Sequence, residues 1–200
     1  MIKELIQNKG YIKRELKIFE TKVHCKTTLF VIVSDIVVPF ENLPNQKESF
    51  VLHRRVMLII LGLLAFLKLV CLIYKDDKEF DHNIWMFFLT IFLLAIPVYL
   101  YTVENLWRVR MGFNVNIYAF KKIPNFNEVD EFFELLFTTR NDYLRQTYFL
   151  PITKNLTYES QKNNLQWLRK NEVISSSEFE KSISELNTIF ISENNKIGFN

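Results

Sequence analysis

The sequence predicts an α+β membrane protein. A two-helix transmembrane hairpin is inserted in a small cytoplasmic β-sheet domain, which is capped by an amphipathic helix and followed by a C-terminal helical hairpin. Three observations predict this. Two uninterrupted apolar runs, Val56 to Tyr74 and Ile84 to Thr102, each have 19 residues. Such a run is about 28 Å long as a helix at roughly 1.5 Å per residue, close to a bilayer hydrocarbon core of about 30 Å. The stretches flanking the runs carry strand-type composition and alternation, and from Phe126 to Tyr148 apolar residues recur at helical spacing.

The expected layout follows in order. Residues 1–53 form the first part of the β domain, 54–102 the hairpin (spans 56–74 and 84–102), and 103–150 the second part with a capping helix over 126–148. Residues 151–200 form the tail. Hydrophobic residues make up 49% of the chain, yet mean hydropathy is only +0.04, because the two runs hold most of the apolarity. Lys68 sits in the first span. A mid-span Lys costs about 2.5–3.5 kcal/mol, and the thirteen Leu, Ile, Phe and Val residues of that run return roughly 4–8 kcal/mol at about 0.3–0.6 each. Lys68 either snorkels outward or makes an intramembrane contact. Pro97 puts a mild kink in the second span, and Trp85, Tyr99 and Tyr101 match an interface belt.

Flanking cations set the expected orientation. Lys47, Arg54, Arg55, Arg108, Arg110, Lys121 and Lys122 lie outside the hairpin, against Lys75 and Lys78 in the loop Lys75 to Asn83. Both termini are therefore expected in the cytoplasm of a multi-pass protein of the bacterial inner (plasma) membrane. Fifty-five residues precede the first span, so that span serves as its own insertion signal. Cys25 and Cys71 form no disulfide framework, which suits reduced, cytoplasm-facing domains.

Before the hairpin, residues 11–53 read as β. Thr28 to Val38 (TLFVIVSDIVV) is dense in β-branched residues, Pro39 and Pro44 mark ends or bends, and Gln46 to His53 supplies a further strand. After it, Trp107, Val109, Met111, Phe113, Val115, Ile117 and Ala119 are apolar at alternate positions, which predicts strands turning near Gly112. The economical solution is one sheet shared by both segments. The helix over Phe126 to Tyr148 starts at Asn125 with Glu128 three residues on, a capping-box spacing. Val129, Phe132, Phe133, Leu136, Tyr143 and Leu144 line one face, with acids early and Arg140 and Arg145 late, as the helix dipole prefers. In the tail, Leu165, Trp167 and Leu168 mark one short helix and Phe179, Ile183 and Leu186 another, the second opened by Ser175 with Glu178. So small a unit buries little by itself and is expected to dock on a partner or a second copy.

Two resemblances rest on these residues. The stretch LQWLRKNEVISSSEFEKSISEL, Leu165 to Leu186, resembles the short C-terminal domain called SHOCT, with Asn171-Glu172 where glycine is usual. Residues 11–190 resemble a group of uncharacterised bacterial inner-membrane proteins. The carrying motifs are VVPFENL (Val37 to Leu43), IPNFNEVDEFFELL (Ile123 to Leu136) and NDYLRQTYF (Asn141 to Phe149). The resemblance implies a split PH-like β domain around an inserted hairpin. It implies no active site, so it assigns no functional residue.

The chemistry-bearing residues are sparse. His24, His53 and His82 have no partner at ligand or triad spacing, and four Gly residues leave no phosphate loop. No catalytic, metal-ligating or cofactor-binding residue is expected, and neither a nucleic acid nor a small-molecule substrate. Residues 1–26 carry seven Lys/Arg against three Glu. Lys13, Arg14, Lys17, Lys22 and Lys26 are accordingly candidates for contact with an anionic lipid surface, or simply a solvated β face. The expected function is a membrane-anchored, non-enzymatic adaptor or scaffold. Its partners would be the lipid bilayer and a protein, or further copies of itself through the tail. The alternative is an oligomeric subunit of a small channel or transporter with Lys68 and Pro97 at a helix interface.

Overall fold

A computed structural model of the chain describes residues 3–52, 62–64, 90, 103–112 and 115–194. Four strands form an antiparallel meander: β1 (Glu4–Lys9), β2 (Ile12–Ile18), β3 (Lys22–Leu29) and β4 (Ile32–Pro39), in the order β1-β2-β3-β4. Lys9 pairs with Ile12 across a two-residue turn in which Gly10 has φ 57°. Hairpin turns need a positive φ there, and glycine adopts it without a Cβ clash. The Phe19 N–H donates to the Lys22 carbonyl at 2.9 Å and closes the second hairpin. In the third, Leu29 pairs with Ile32 across Phe30 and Val31, and Phe30 has φ 53°.

A single 3-10 turn, Phe40–Asn42, then leads to a second sheet of β5 (Glu48–Leu52), β6 (Glu104–Arg110) and β7 (Asn116–Phe120), ordered β5-β6-β7. The β6-β7 hairpin closes with the Met111 N–H on the Val115 carbonyl at 3.1 Å. The chain divides into two compact units, Met1–Glu48 with Trp107–Asn200, and Ser49–Leu106.

Within the first unit, Gln7 ties β1 to β7. Its buried amide accepts from the Phe120 N–H at 2.7 Å and donates to the Phe120 carbonyl at 2.8 Å and to the Ile123 carbonyl. A side chain thereby satisfies backbone groups that would otherwise be costly to bury. Helix α1 (Phe126–Tyr148) opens at Asn125, whose Oδ1 accepts from the Glu128 N–H at 2.8 Å. Its inner residues Val129, Phe132, Phe133 and Leu136 join Leu5, Leu16, Val23 and Val38 of the meander and Val109, Ile117 and Ala119 of β6 and β7 in one core.

The tail consists of α2 (Tyr158–Lys170) and α3 (Ser176–Asn194). A Schellman motif ends α2: the Val173 N–H reaches the Leu168 carbonyl and the Glu172 N–H the Arg169 carbonyl, both at 3.0 Å. Glu172 takes φ 59°, the left-handed conformation usually given to glycine. Ser175 and Glu178 cap α3 reciprocally, at 2.9 and 3.2 Å.

Several expectations are corrected. The expected fold class, a transmembrane hairpin set in a single sheet, is corrected for the described residues. The structure is α+β with two antiparallel sheets, and among the described residues no helix is long and apolar enough to cross a membrane. The physical reason is charge. Glu128, Asp130, Glu131, Glu134, Arg140 and Arg145 punctuate α1, Glu159, Lys162, Arg169 and Lys170 α2, and Glu178, Glu180, Lys181 and Glu185 α3. The expected spans 56–74 and 84–102 lie outside the described residues, apart from helical residues 62–64 and Thr90. The multi-pass bacterial inner-membrane location with cytoplasmic termini, and the membrane and transmembrane-helix description that went with it, rested on those spans and are withdrawn with them. The single shared sheet is two because Pro39, the 3-10 turn and Pro44 interrupt the chain between β4 and β5.

The tail packs on its own chain: Leu165, Leu168, Val173 and Ile174 form a second core with Leu144, Tyr148 and Phe149. Arg140, buried at the middle of the junction, donates through Nε to the Leu43 carbonyl at 2.6 Å and through Nη1 to the Asn171 carbonyl at 3.1 Å. Arg145 pairs with Glu178 at the start of α3.

That pair predicts an acid-sensitive joint. The Arg145 hydrogen bond, then the Ser175 N–H, hold the Glu178 carboxyl down at about 2 from an ordinary 4.5. A depressed carboxyl pKa contributes stability that is complete above the ordinary value and fades as pH falls through the folded one. Glu178→Gln should therefore lower the denaturation midpoint at pH 7, and its difference from the parent chain should vanish as pH falls from 4.5 towards 2. A pH-independent difference would refute this assignment.

Candidate interaction surface

Register and alternation decide which side chains share a face. The outward side of the meander carries Glu4, Ile6 and Asn8 of β1, Lys13, Glu15 and Lys17 of β2, Lys22, His24, Lys26 and Thr28 of β3, and Val33, Asp35 and Val37 of β4. Four of the five basic residues proposed from sequence, Lys13, Lys17, Lys22 and Lys26, thus lie together. Arg14 does not. It points inward, is buried, and stacks over the Phe120 ring with 4.1 Å from its guanidinium carbon to the centroid. Lys68, the expected intramembrane contact, lies outside the described residues.

The four lysines do not make a basic patch. Lys13 pairs with Glu15 at 2.7 Å and Lys17 with Glu4 at 2.8 Å. Lys26 lies opposite both Glu15 and Asp35 in the register, and Asp35 also pairs with His24. The Lys13 hydrogen bond lowers the Glu15 pKa and the Glu4 hydrogen bond raises that of Lys17, as expected for mutual neutralisation. Four lysines against Glu4, Glu15 and Asp35 leave a strand-face charge of only 4 − 3 = +1. Polybasic lipid capture needs clusters of about 4–8 uncompensated cations.

The feature missed from the sequence is apolar. Phe30, Val31, Ile32 and Val33 are 71%, 92%, 66% and 55% exposed, and Val37 is 52% exposed. They occupy the β3-β4 turn and β4, which among the described residues is an edge strand paired with β3 alone. Phe30 is held in its left-handed conformation by its neighbour hairpin: its ring stacks on Tyr11 at 4.6 Å and 6°, and its N–H donates to the Tyr11 carbonyl at 3.0 Å. A stacked pair is worth about 0.5–1.5 kcal/mol, comparable with the roughly 1–2 kcal/mol an L-residue loses there. Edge strands are ordinarily blunted by lysine, proline or a bulge. Along β4 there is no lysine, and its proline stands last.

Among the described residues no reactive constellation accompanies this surface. Burial pushes the Cys25 thiol up to about 12, so it is an inert core residue. Glu41 accepts from the Tyr143 and Tyr148 hydroxyls at 3.0 and 3.1 Å, and both phenol pKa values are raised, Tyr143 by that bond and Tyr148 by burial and then that bond. Among the described residues no group of three or more His, Cys, Asp or Glu is placed to hold a metal ion. No protein-family model, curated protein or solved structure matches the chain.

Proposed function

We propose that this chain is a non-enzymatic adaptor whose PH-like β domain takes an extended segment of a protein partner as an additional strand along β4. The element order of four strands, three strands and a helix supports the PH-like reading. The observation that carries the proposal is the exposed apolar edge from Ile32 to Val37. Strand addition takes affinity from main-chain hydrogen bonds and specificity from alternate side chains, and β4 offers both. The occupant is a partner strand and not a second copy of β4. In the antiparallel self-pairing that sets Ile32 opposite Val38, Asp35 falls opposite Asp35, and like charges directly opposed are destabilising.

Panning the purified full chain against a random-peptide library tests this. The expected result is a consensus alternating apolar with other residues, whose binding shifts the β4 amide resonances. Val33→Lys with Val37→Lys should weaken it about tenfold, a loss of roughly 1.4 kcal/mol. Selected peptides that map elsewhere would overturn the reading. So would self-association, or sedimentation with phosphatidylglycerol vesicles, that these substitutions abolish.

A further inference from the structure

We propose that the polar cleft at the junction of the tail and the β domain is a binding site for a small, hydroxylated phosphate monoester. The cleft has a volume of about 370 Å³ and is lined by the segment from Pro44 to Glu48, by Arg110 at the end of β6, and by Lys170, Asn171 and Glu172 at the end of α2. That volume falls within the range of small-molecule sites, roughly 300–1,000 Å³, and exceeds what a bare phosphate fills.

The charges in the lining sort into two kinds. Lys47 is committed to Asp130 and Glu48 to Arg108. Glu172 accepts from Gln46 at 3.1 Å and from Asn45 at 3.3 Å. Arg110 and Lys170 are exposed, and among the described residues neither has a carboxylate within salt-bridge distance. Arg110 also acts through space on Glu48, whose pKa it helps to lower, yet with Lys170 it brings two cations to one cleft, and the arginine fork provides paired donors for a phosphoryl group.

A third cation stands behind them. Arg140 is fully buried, and its hydrogen bonds run to neutral groups: the Leu43 carbonyl, the Asn141 side-chain oxygen and the Asn171 carbonyl. Its Nη2 is buried with no hydrogen-bond partner. Leu43 immediately precedes the lining segment and Asn171 belongs to it, so a buried guanidinium is tied to this wall, balanced through space by Glu172 and by no carboxylate in contact. A buried cation without a carboxylate in contact favours an anion nearby. The carboxylates of Glu48 and Glu172 in the same lining argue against a polyanion, and they offer acceptors for hydroxyl groups. One phosphoryl group on a small hydroxylated carrier meets Arg110 and Lys170 with its charge and Glu48 and Glu172 with its hydroxyls.

Calorimetric titration of the full chain at constant ionic strength tests the proposal, with glycerol 3-phosphate, inorganic phosphate and glycerol as probes. Glycerol 3-phosphate should bind with one-to-one stoichiometry and more tightly than inorganic phosphate, and glycerol should not bind. Arg110→Gln and Lys170→Gln should each weaken the ester about tenfold without moving the denaturation midpoint, and Lys22→Gln on the outer sheet face should leave it unchanged. Equal affinity for ester and free phosphate would overturn the ester assignment. Binding indifferent to both cleft substitutions, or equally lost in Lys22→Gln, would overturn the site. None of these outcomes depends on whether a strand docks on β4.

Discussion

Phe133→Ala should lower unfolding free energy by about 3–5 kcal/mol, the range for truncating a fully buried aromatic. The ring is inaccessible, meets Phe132 edge-on at 5.9 Å and 82°, lies 6.0 Å from Phe137, and has the Lys47 ammonium 5.3 Å from its centroid. It lies in the core where α1 meets inward residues of both sheets, so truncation leaves a cavity among groups already fixed by the helix and strands. The same substitution at Phe30, 71% exposed in the β3-β4 turn, should cost less than about 1 kcal/mol, because it loses one stacking contact and relieves none of the backbone strain. Urea denaturation followed by circular dichroism measures both. Similar costs at the two positions would mean the burial assigned to Phe133 is wrong.

Arg140→Leu should cost about 3 kcal/mol and loosen the tail. The substitution removes donors from the Leu43 and Asn171 carbonyls, and a buried acceptor left unpaired costs about 1–3 kcal/mol. Part of the loss is recovered because a buried guanidinium is itself expensive to desolvate. Burial indeed lowers the Arg140 pKa, and the Glu172 charge opposes that shift. Trp167 packs in the second core, so its fluorescence should report release of α2 before the β domain unfolds. A cost below about 1 kcal/mol with the tail still protected would show that the junction does not depend on this side chain.

What was legible in the sequence was local. Asn125 and Glu128 marked the start of α1, and Ser175 and Glu178 that of α3, because a cap is written in residues three apart. The turn near Gly112 followed from a run of alternation, Trp107 to Ala119, with a glycine at its middle. The β3-β4 turn was not legible: Phe30 and Val31 sit inside a run of β-branched residues, and the Tyr11 ring that holds the turn comes from another hairpin. β1 was missed for a similar reason, since Glu4–Lys9 (ELIQNK) carries only two apolar residues and is fixed by Gln7 reaching β7. Arg140 read as a cation complementing a helix dipole. Its role depends on Leu43 and Asn171, distant in sequence and brought together only by the tail's packing.

The apolar runs at 56–74 and 84–102 dominated the expected fold class, while the described sheets are built from residues on either side of them. The candidate surface suffered a related error. Counting cations in residues 1–26 treated charge as a sum, whereas the antiparallel register sets Glu4, Glu15 and Asp35 among the lysines. A pairing scheme was needed before the charge had a sign.

Glu172 is a point of local frustration in an otherwise consistent joint. A helix ending in that geometry relaxes with glycine at the same position, because only the Cβ opposes it. The chain instead keeps a carboxylate there, reaching across to Asn45 and Gln46 from a conformation its own Cβ resists. Its bonds to Asn45 and Gln46 and its charge toward the buried Arg140 fasten the tail to the β domain at the expense of the helix end.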